Sequence, residues 1–213
     1  MSNIIAVIDY GMGNLRSVSK AVEHVMQPGD RVSVTDDPDL ILSADRVVFP
    51  GQGAARDCMA AISDHHLNRA VLEAARTKPF LGICMGLQVL MAFSEENGGT
   101  SLLGLLEGDV RRFQSGMEHA GQRLKIPQMG WNQVRQVGDH PLWEGIPQAS
   151  RFYFVHSYYV VPKAPDLVAG TTEYGVSFTS AVARDYLFAT QFHPEKSAAA
   201  GLRLLENFVR WEA

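Results

Sequence analysis

The sequence predicts an α/β fold: a single domain with a central, mostly parallel sheet flanked by helices, and an antiparallel extension of that sheet in the second half. Short apolar runs alternate with helical patterns through the first half, which is typical of a parallel sheet covered on both faces. Short strand-like segments separated by Gly, Pro and Asp fill the second half. Because 46% of the 213 residues are hydrophobic, one substantial core can form, and we predict one domain over residues 1–213.

The first half is predicted to contain four strands and the helices between them. Residues 4–8 form a continuous apolar run, as expected for a strand covered on both faces. A glycine-containing turn follows, and residues 15–26 then carry a helical pattern. Residues 31–35 and 46–49 are two further short strands, and helical patterns lead from there to a fourth strand at 80–83.

The second half is predicted to be rich in strands and to end in a helix. The strand-like segments are residues 123–125, 131–137, 152–155, 158–161, 167–172, 177–183 and 187–191. A closing helix is predicted over residues 198–211, because four large apolar side chains share one stripe there. These side chains are Leu202, Leu205, Phe208 and Val209.

Composition and charge exclude several classes of partner. The net charge is −4, and the 19 basic residues are dispersed, so we expect neither a nucleic-acid partner nor a membrane partner. The two cysteines, Cys58 and Cys84, form no C-x-x-C pair, which argues against a disulfide framework or a zinc site and indicates a reducing compartment. With no signal segment or membrane span in the pattern, we expect a cytoplasmic protein.

The segment of residues 82–86, Gly-Ile-Cys-Met-Gly, has the pattern of a nucleophile elbow with cysteine as the nucleophile. In such an elbow the nucleophile lies on a strained turn between a strand and a helix, which glycine neighbours permit. The residues after Cys84 have helical composition, and a helix N-terminus favours the reactive thiolate. The alternative is a buried cysteine that only packs.

A second segment, Gln-Phe-His-Pro-Glu at residues 191–195, supplies a candidate base. It follows a predicted strand, and Pro194 biases His193 towards an extended conformation. In extended backbone, residues two apart point to the same side, so His193 and Glu195 are predicted to share a face. A histidine that exchanges protons with a thiol needs a group that orients its ring, and Glu195 can be that group.

Six segments in order along the chain then carry a resemblance. They are DYGMGNLRSV at 9–18, PGQG at 50–53, GICMGLQ at 82–88, PQMGWN at 127–132, HSY at 156–158 and HPEKS at 193–197. Together they resemble the class I, triad-type glutamine amidotransferases, and within them the family of glutaminase subunits of imidazole glycerol phosphate synthases. The first and fourth segments are the ones that point to this subunit family.

The resemblance implies a function. Glutamine would be hydrolysed to glutamate and ammonia through a triad of Cys84, His193 and Glu195. The ammonia would pass to a (β/α)₈-barrel cyclase subunit, the partner in a heterodimer, which forms imidazole glycerol phosphate and an aminoimidazole carboxamide ribonucleotide in histidine biosynthesis. No metal and no organic cofactor is implied.

The resemblance also implies roles for residues outside the triad. The oxyanion hole would be formed by backbone N–H groups of Met85 and of the Gly51–Gln52 loop. The residues implied to contact glutamine are Gln88, Glu96, His156, Ser157 and Tyr158. The residues implied to contact the cyclase subunit are Asn14, Met129, Trp131 and Lys196.

Several of these residues have simpler explanations that the sequence leaves open. Gln88 and Glu96 also fit an exposed helix face, and Trp131 also fits a core position. Segment 50–53 also fits a plain loop, and 156–158 fits a strand kink.

Other motifs are assigned no chemistry. Gly11-Met12-Gly13 lacks the third glycine of a dinucleotide-binding loop, so a tight turn with Asn14 as helix N-cap is predicted. Cys58 is expected to be structural. The adjacent pair His65-His66 cannot share one face, which favours a surface helix over metal ligation.

Three other functions remain open from the sequence. One is an amidotransferase subunit of another pathway, and another is a freestanding γ-glutamyl cysteine hydrolase on a related fold. The third is a catalytically silent, amidotransferase-like binding subunit, against which the intact Cys84, His193 and Glu195 argue.

Overall fold

The computed structural model describes residues 3–119 and 122–212, and a mixed sheet of twelve strands runs through this part of the chain. Two further sheets have two strands each. Numbered together in chain order, the strands of all three sheets are β1 Ile4–Ile8, β2 Arg31–Thr35, β3 Arg46–Gly51, β4 Phe80–Cys84, β5 Phe93–Ser94, β6 Thr100–Ser101, β7 Gly108–Arg112, β8 Glu118–His119, β9 Gln122–Arg123, β10 Gln128–Gln133, β11 Arg135–Gln136, β12 Arg151–His156, β13 Tyr158–Pro162, β14 Val168–Glu173, β15 Ser177–Arg184 and β16 Leu187–Thr190.

The order of strands in the main sheet is β2-β1-β3-β4-β16-β15-β13-β7-β5-β6, with β14 and β11 attached through β15. Strands β1 to β4 are mutually parallel, whereas β15, β13 and β14 pair antiparallel. Two small sheets pair β10 with β12 and β8 with β9. The predicted α/β class, with a parallel core and an antiparallel extension, is confirmed.

Strand β16 joins the two halves of the sheet. It pairs parallel with β4 and antiparallel with β15, so it belongs to both halves rather than to the antiparallel extension alone. In register, Gly51 lies beside Cys84, and Thr190 lies beside Ile83. The carboxyl ends of β3, β4 and β16 therefore meet at one edge of the sheet, where ligands of open α/β sheets commonly bind.

The helices cover both faces of the sheet. They are α1 Leu15–Val25, α2 Pro38–Ser43, α3 Ala55–Asp64, α4 Asn68–Thr77, α5 Met85–Gln88 and α6 Ala198–Arg210. Neighbouring residues of β1 point into different clusters: Ile5 packs with α1 and α6, and Ala6 packs with α3 and α4. No helix in the described ranges is both long and apolar enough to cross a membrane.

Several details predicted from the sequence were wrong. The helix after the elbow has only four residues, because the chain turns at Val89 and then enters the short strand β5. The stripe of α6 includes the buried Leu204, whereas Leu202 is only half-buried. Asn14 precedes α1 but makes no capping hydrogen bond through its side chain. Strand β7 was missed.

Candidate active site

Cys84 occupies a strained turn between β4 and α5. Its φ and ψ are 56° and −107°, a conformation that residues other than glycine rarely adopt. A side chain at Gly86 would overlap the carbonyl oxygen of Phe49, and a Cβ at Gly82 would lie 2.8 Å from the Gly86 oxygen. Both glycines of the elbow motif are therefore required by close backbone contacts.

The elbow opens into a cavity of about 580 Å³ at the carboxyl edge of the sheet. Ten of the residues singled out from the sequence line it: Gln52, Cys84, Met85, Gln88, Glu96, His156, Ser157, Tyr158, His193 and Lys196. The fold thus gathers residues from distant parts of the chain around one thiol. A cavity of this size can enclose a small ligand.

His193 and Glu195 form a buried pair beside the cysteine. The Nδ1–H of His193 donates to Oε1 of Glu195 over 2.9 Å, and the two side chains are 6% and 0% exposed. Nε2 of His193 is buried without a hydrogen-bond partner among the described residues, so it is the nitrogen left for proton transfer. Burial lowers the pKa of His193, but the nearby Cys84 and Glu195 outweigh burial and raise the pKa to about 10.

The backbone that creates this pair differs from the predicted one. His193 is extended, with φ −101° and ψ 98°, but Pro194 starts a 3-10 turn that contains Glu195. Proline fits the first position of such a turn because its φ is already near the helical value. The contact between His193 and Glu195 was therefore predicted on the wrong backbone geometry.

Gln88 is buried, so the exposed-face explanation was wrong for this residue. Its Nε2 donates to the carbonyl oxygen of Tyr158 over 3.1 Å and to Oε1 of Gln191 over 2.9 Å. Both amide protons are used, which leaves Oε1 of Gln88 as the group it can offer to a ligand.

Gln191 is a site residue that the sequence analysis missed. It is completely buried, and its Nε2 lies 3.7 Å from Sγ of Cys84. The feature of the sequence that could have identified Gln191 is its place two residues before His193, just after a strand that ends at the cavity. Without the pairing of β16 with β4, however, nothing in the sequence places it beside the thiol.

His156 is held by both ring nitrogens. Its Nδ1–H donates to the carbonyl oxygen of Tyr158 over 2.7 Å, and Nε2 lies 3.0 Å from the side chain of Gln128. Burial lowers the pKa of His156 to about 4, so the ring is neutral at neutral pH. Since both nitrogens are engaged, the group that His156 presents to the cavity is its backbone.

Glu96 reaches back to the start of α3. Its Oε2 accepts the backbone N–H of Ala55 over 2.6 Å, and Arg56 donates to the carbonyl oxygen of Asn97 over 2.7 Å. A carboxylate at a helix N-terminus is stabilised by the helix dipole. The second oxygen of Glu96 stays available as an acceptor at the rim of the cavity.

The last residue of β3, Gly51, and the first residue of the following loop, Gln52, lie across from the elbow. Gly51 is buried, and a Cβ there would meet the hydroxyl of Tyr10. The thiol of Cys58 donates to the carbonyl oxygen of Gln52 over 3.4 Å. Burial raises the pKa of Cys58 to about 11, so this thiol stays protonated and keeps its hydrogen for that bond. Cys58 is structural, as predicted.

Three of the residues expected at the partner interface, Asn14, Met129 and Lys196, lie in the cavity lining or next to a lining residue. Met129 and Trp131 lie on β10 and are 66% and 49% exposed, so the core explanation was wrong for Trp131. Lys196 is exposed at the rim of the cavity, and Asn14, which is half-buried, follows the cavity residue Gly13. Since residues two apart on a strand point to the same side, Met129 and Trp131 share one exposed apolar face of β10.

The adjacent histidines lie at the end of α3. His65 caps the end of α3, and its Nδ1 lies 3.2 Å from Oδ2 of Asp36. Within residues 3–119 and 122–212, no group of three or more His, Cys, Asp or Glu side chains is arranged to hold a metal ion.

Comparison with known proteins gives the family. The family model "Glutamine amidotransferase class-I" matches residues 6–211. The chain is 61% identical to the imidazole glycerol phosphate synthase subunit HisH of Thiobacillus denitrificans over 99% of this chain and 92% of that protein. It is 59% identical to the HisH subunit of Methylococcus capsulatus over 98% and 96% of the two chains.

A solved structure agrees with the fold. PurLQS of Thermotoga maritima superposes with a TM-score of 0.73 at 20% identity over 99% of both chains, a level of identity that shows the fold alone. On the strength of the family model and the HisH relatives, this chain belongs to the class I glutamine amidotransferases and, among them, to the family of the imidazole glycerol phosphate synthase subunit HisH.

Proposed function

We propose that this chain, as one domain over residues 1–213, is the glutaminase subunit of a cytoplasmic imidazole glycerol phosphate synthase. It hydrolyses glutamine and passes the ammonia to a (β/α)₈-barrel cyclase subunit that binds as a heterodimer. The observation that carries the proposal is the strained Cys84 at the edge of a cavity beside the buried pair of His193 and Glu195.

The charge state of the pair supports nucleophilic catalysis. With its pKa raised to about 10, His193 carries a proton at neutral pH that it can deliver to a leaving group. The thiolate attacks the carboxamide carbon of glutamine, and His193 donates its proton to the departing ammonia. The neutral ring then takes a proton from water, which hydrolyses the thioester. Glu195 holds Nδ1 throughout, so that Nε2 faces the reacting atoms.

Backbone donors stabilise the oxyanion of each tetrahedral intermediate. The N–H of Met85 begins α5, and the first N–H groups of a helix have no partner within it. The second donor is an N–H of the Gly51–Gln52 loop, which lies next to Cys84 in the sheet. Donors of this type contribute roughly 10²- to 10³-fold each to the rate.

Glutamine is recognised by acceptors and backbone around the cavity. Oε1 of Gln88 and the second oxygen of Glu96 suit the α-ammonium group of glutamine, because both are hydrogen-bond acceptors. The other polar atom of each side chain, Nε2 of Gln88 and Oε2 of Glu96, is already hydrogen-bonded within the protein. The segment His156, Ser157 and Tyr158 contributes backbone groups on the opposite wall.

The decisive experiment separates the making of ammonia from its use. In the complex with the barrel subunit, Cys84→Ala should abolish synthesis from glutamine and leave synthesis from ammonium salts at the parental rate. A variant that still hydrolyses glutamine at a tenth of the parental rate would exclude Cys84 as the nucleophile. Rapid turnover of γ-glutamyl peptides by the isolated chain would favour a freestanding hydrolase.

A further inference from the structure

We propose that Gln191 is a further catalytic residue, whose carboxamide N–H donates to Sγ of Cys84 and holds the negative charge of the thiolate. The proposal rests on the proposed function, since it assigns a role in that reaction. It concerns a residue outside the triad and the oxyanion hole.

The position of Gln191 is fixed by the sheet. Its backbone N–H donates to the carbonyl oxygen of Ser180 over 2.9 Å, and it directly follows β16, the neighbour of β4. The residue is completely buried, and its Nε2 lies 3.7 Å from Sγ, a distance suited to an N–H donor and a sulfur acceptor. A buried carboxamide beside the nucleophile is therefore held in place by its backbone.

The orientation of the carboxamide is fixed by Gln88. A backbone carbonyl only accepts hydrogen bonds, so the contact of Gln88 with the oxygen of Tyr158 requires Nε2 of Gln88 on that side. The same Nε2 donates to Oε1 of Gln191, which turns the NH₂ group of Gln191 towards Sγ. The opposite orientation would set two NH₂ groups against each other and place an oxygen next to the thiolate.

The chemistry requires a donor that does not change its charge. His193 neutralises the thiolate only while it is protonated, and it gives up that proton to the leaving ammonia. The sulfur regains negative charge when the thioester is cleaved. A carboxamide cannot lose its proton in this range of pH, so Gln191 donates to the sulfur in both half-reactions. Hydrogen bonds to a charged acceptor are stronger than those between neutral groups.

The test compares Gln191→Met with Ser180→Ala, both in the complex with the barrel subunit. Methionine has a similar length and volume but no donor. Ser180 is the matched control, because it is also completely buried, its hydroxyl has no partner among the described residues, and the control keeps the carbonyl that receives the Gln191 N–H. The first readout is the rate of alkylation of Cys84 by iodoacetamide from pH 5 to 9, and the second is the glutaminase kcat and KM.

The titratable groups near the sulfur are the same in the parent and in the variant. His193, backed by Glu195, interacts with Cys84 directly, and so do Tyr10 and Cys58. The other titratable side chains that line the same cavity are Glu96, His156, Tyr158 and Lys196. Burial raises the pKa of Tyr10 and of Cys58, so both stay neutral through most of the range. Because Gln191→Met leaves all of these groups in place, a change in the alkylation profile is assigned to the lost donor.

Gln191→Met should raise the pH of half-maximal alkylation by about one unit and lower kcat about tenfold, with little change in KM. Ser180→Ala should match the parent in both. If a correctly folded Gln191→Met matches the parental profile, the proposal is overturned. If methionine unfolds the chain, Gln191→Asn, whose amide is one methylene too short to reach Sγ, must give the same shift. A parent that lacks glutaminase activity would refute the proposed function instead, while the alkylation comparison still decides the role of Gln191.

Discussion

Trp131 is expected to anchor the cyclase subunit, and the structure sets the size of the effect. The side chain is 49% exposed and makes an edge contact with Tyr153, with ring centroids 6.1 Å apart. A tryptophan has roughly 250 Å² of surface, so about 120 Å² would leave water on binding, worth about 3 kcal/mol at ~25 cal/mol/Å². Ordering costs reduce this gain, so Trp131→Ala should weaken binding by about 2 kcal/mol, or about thirtyfold in Kd.

The assay is titration calorimetry of each variant with the barrel subunit, together with the Tm of the free chain. Val137→Ala is the matched control, because Val137 is 42% exposed but lies beside β11, away from the cavity. The control should bind like the parent. Parental affinity of Trp131→Ala, combined with a lower Tm, would refute the interface role and show that the ring stabilises the fold instead.

Three further results are expected. Glu195→Gln should lower the glutaminase rate less than Cys84→Ala does. The alkaline limb of its profile of kcat against pH should move to lower pH, because the carboxylate helps raise the pKa of His193. An alkaline limb at the parental pH would contradict this role of Glu195. The nucleotide substrate of the barrel subunit should raise glutaminase kcat by up to roughly 10²-fold with little change in KM, because the loop at 50–53 then turns an N–H towards the oxyanion. Equal kcat values with and without the nucleotide would exclude this gating. Burial lowers the pKa of His140 from 6.5 to about 4, so the unfolded chain binds the extra proton between these values. The free energy of unfolding should therefore fall as pH drops through that window, and urea denaturation of His140→Asn at pH 7 and 5 should show a smaller fall.

The parallel half of the fold was predictable because its strands are buried on both faces. Strands β1 and β2 were predicted with their observed bounds, and β3 and β4 were each placed within two residues. Continuous apolar runs between turns leave little ambiguity when no face meets water. Strand β7 was missed because only Val110 of its five residues is buried, so it shows neither an apolar run nor clear alternation.

The length of the helix after Cys84 was overestimated for a related reason. Leu87, Val89 and Leu90 are all buried, and an apolar stretch reads the same way in a buried helix and in a buried turn. The chain leaves the helix after Gln88 because it returns towards β5 and β7 at the sheet edge.

By itself, the sequence determined those catalytic groups whose members lie close together along the chain. The two glycines around Cys84 and the two-residue spacing of His193 and Glu195 are both visible in the sequence. Gly82 is required by a contact within the elbow, whereas Gly86 is required by the approach of Phe49 on β3. Tertiary structure alone decided which distant atoms meet. The parallel pairing of β16 with β4 brings Gln191 to the sulfur, and the register of β3 with β4 sets Gly51 against the elbow. These pairings couple residues from about thirty to about a hundred positions apart, and no local pattern of hydrophobicity or turn residues encodes that choice of neighbour.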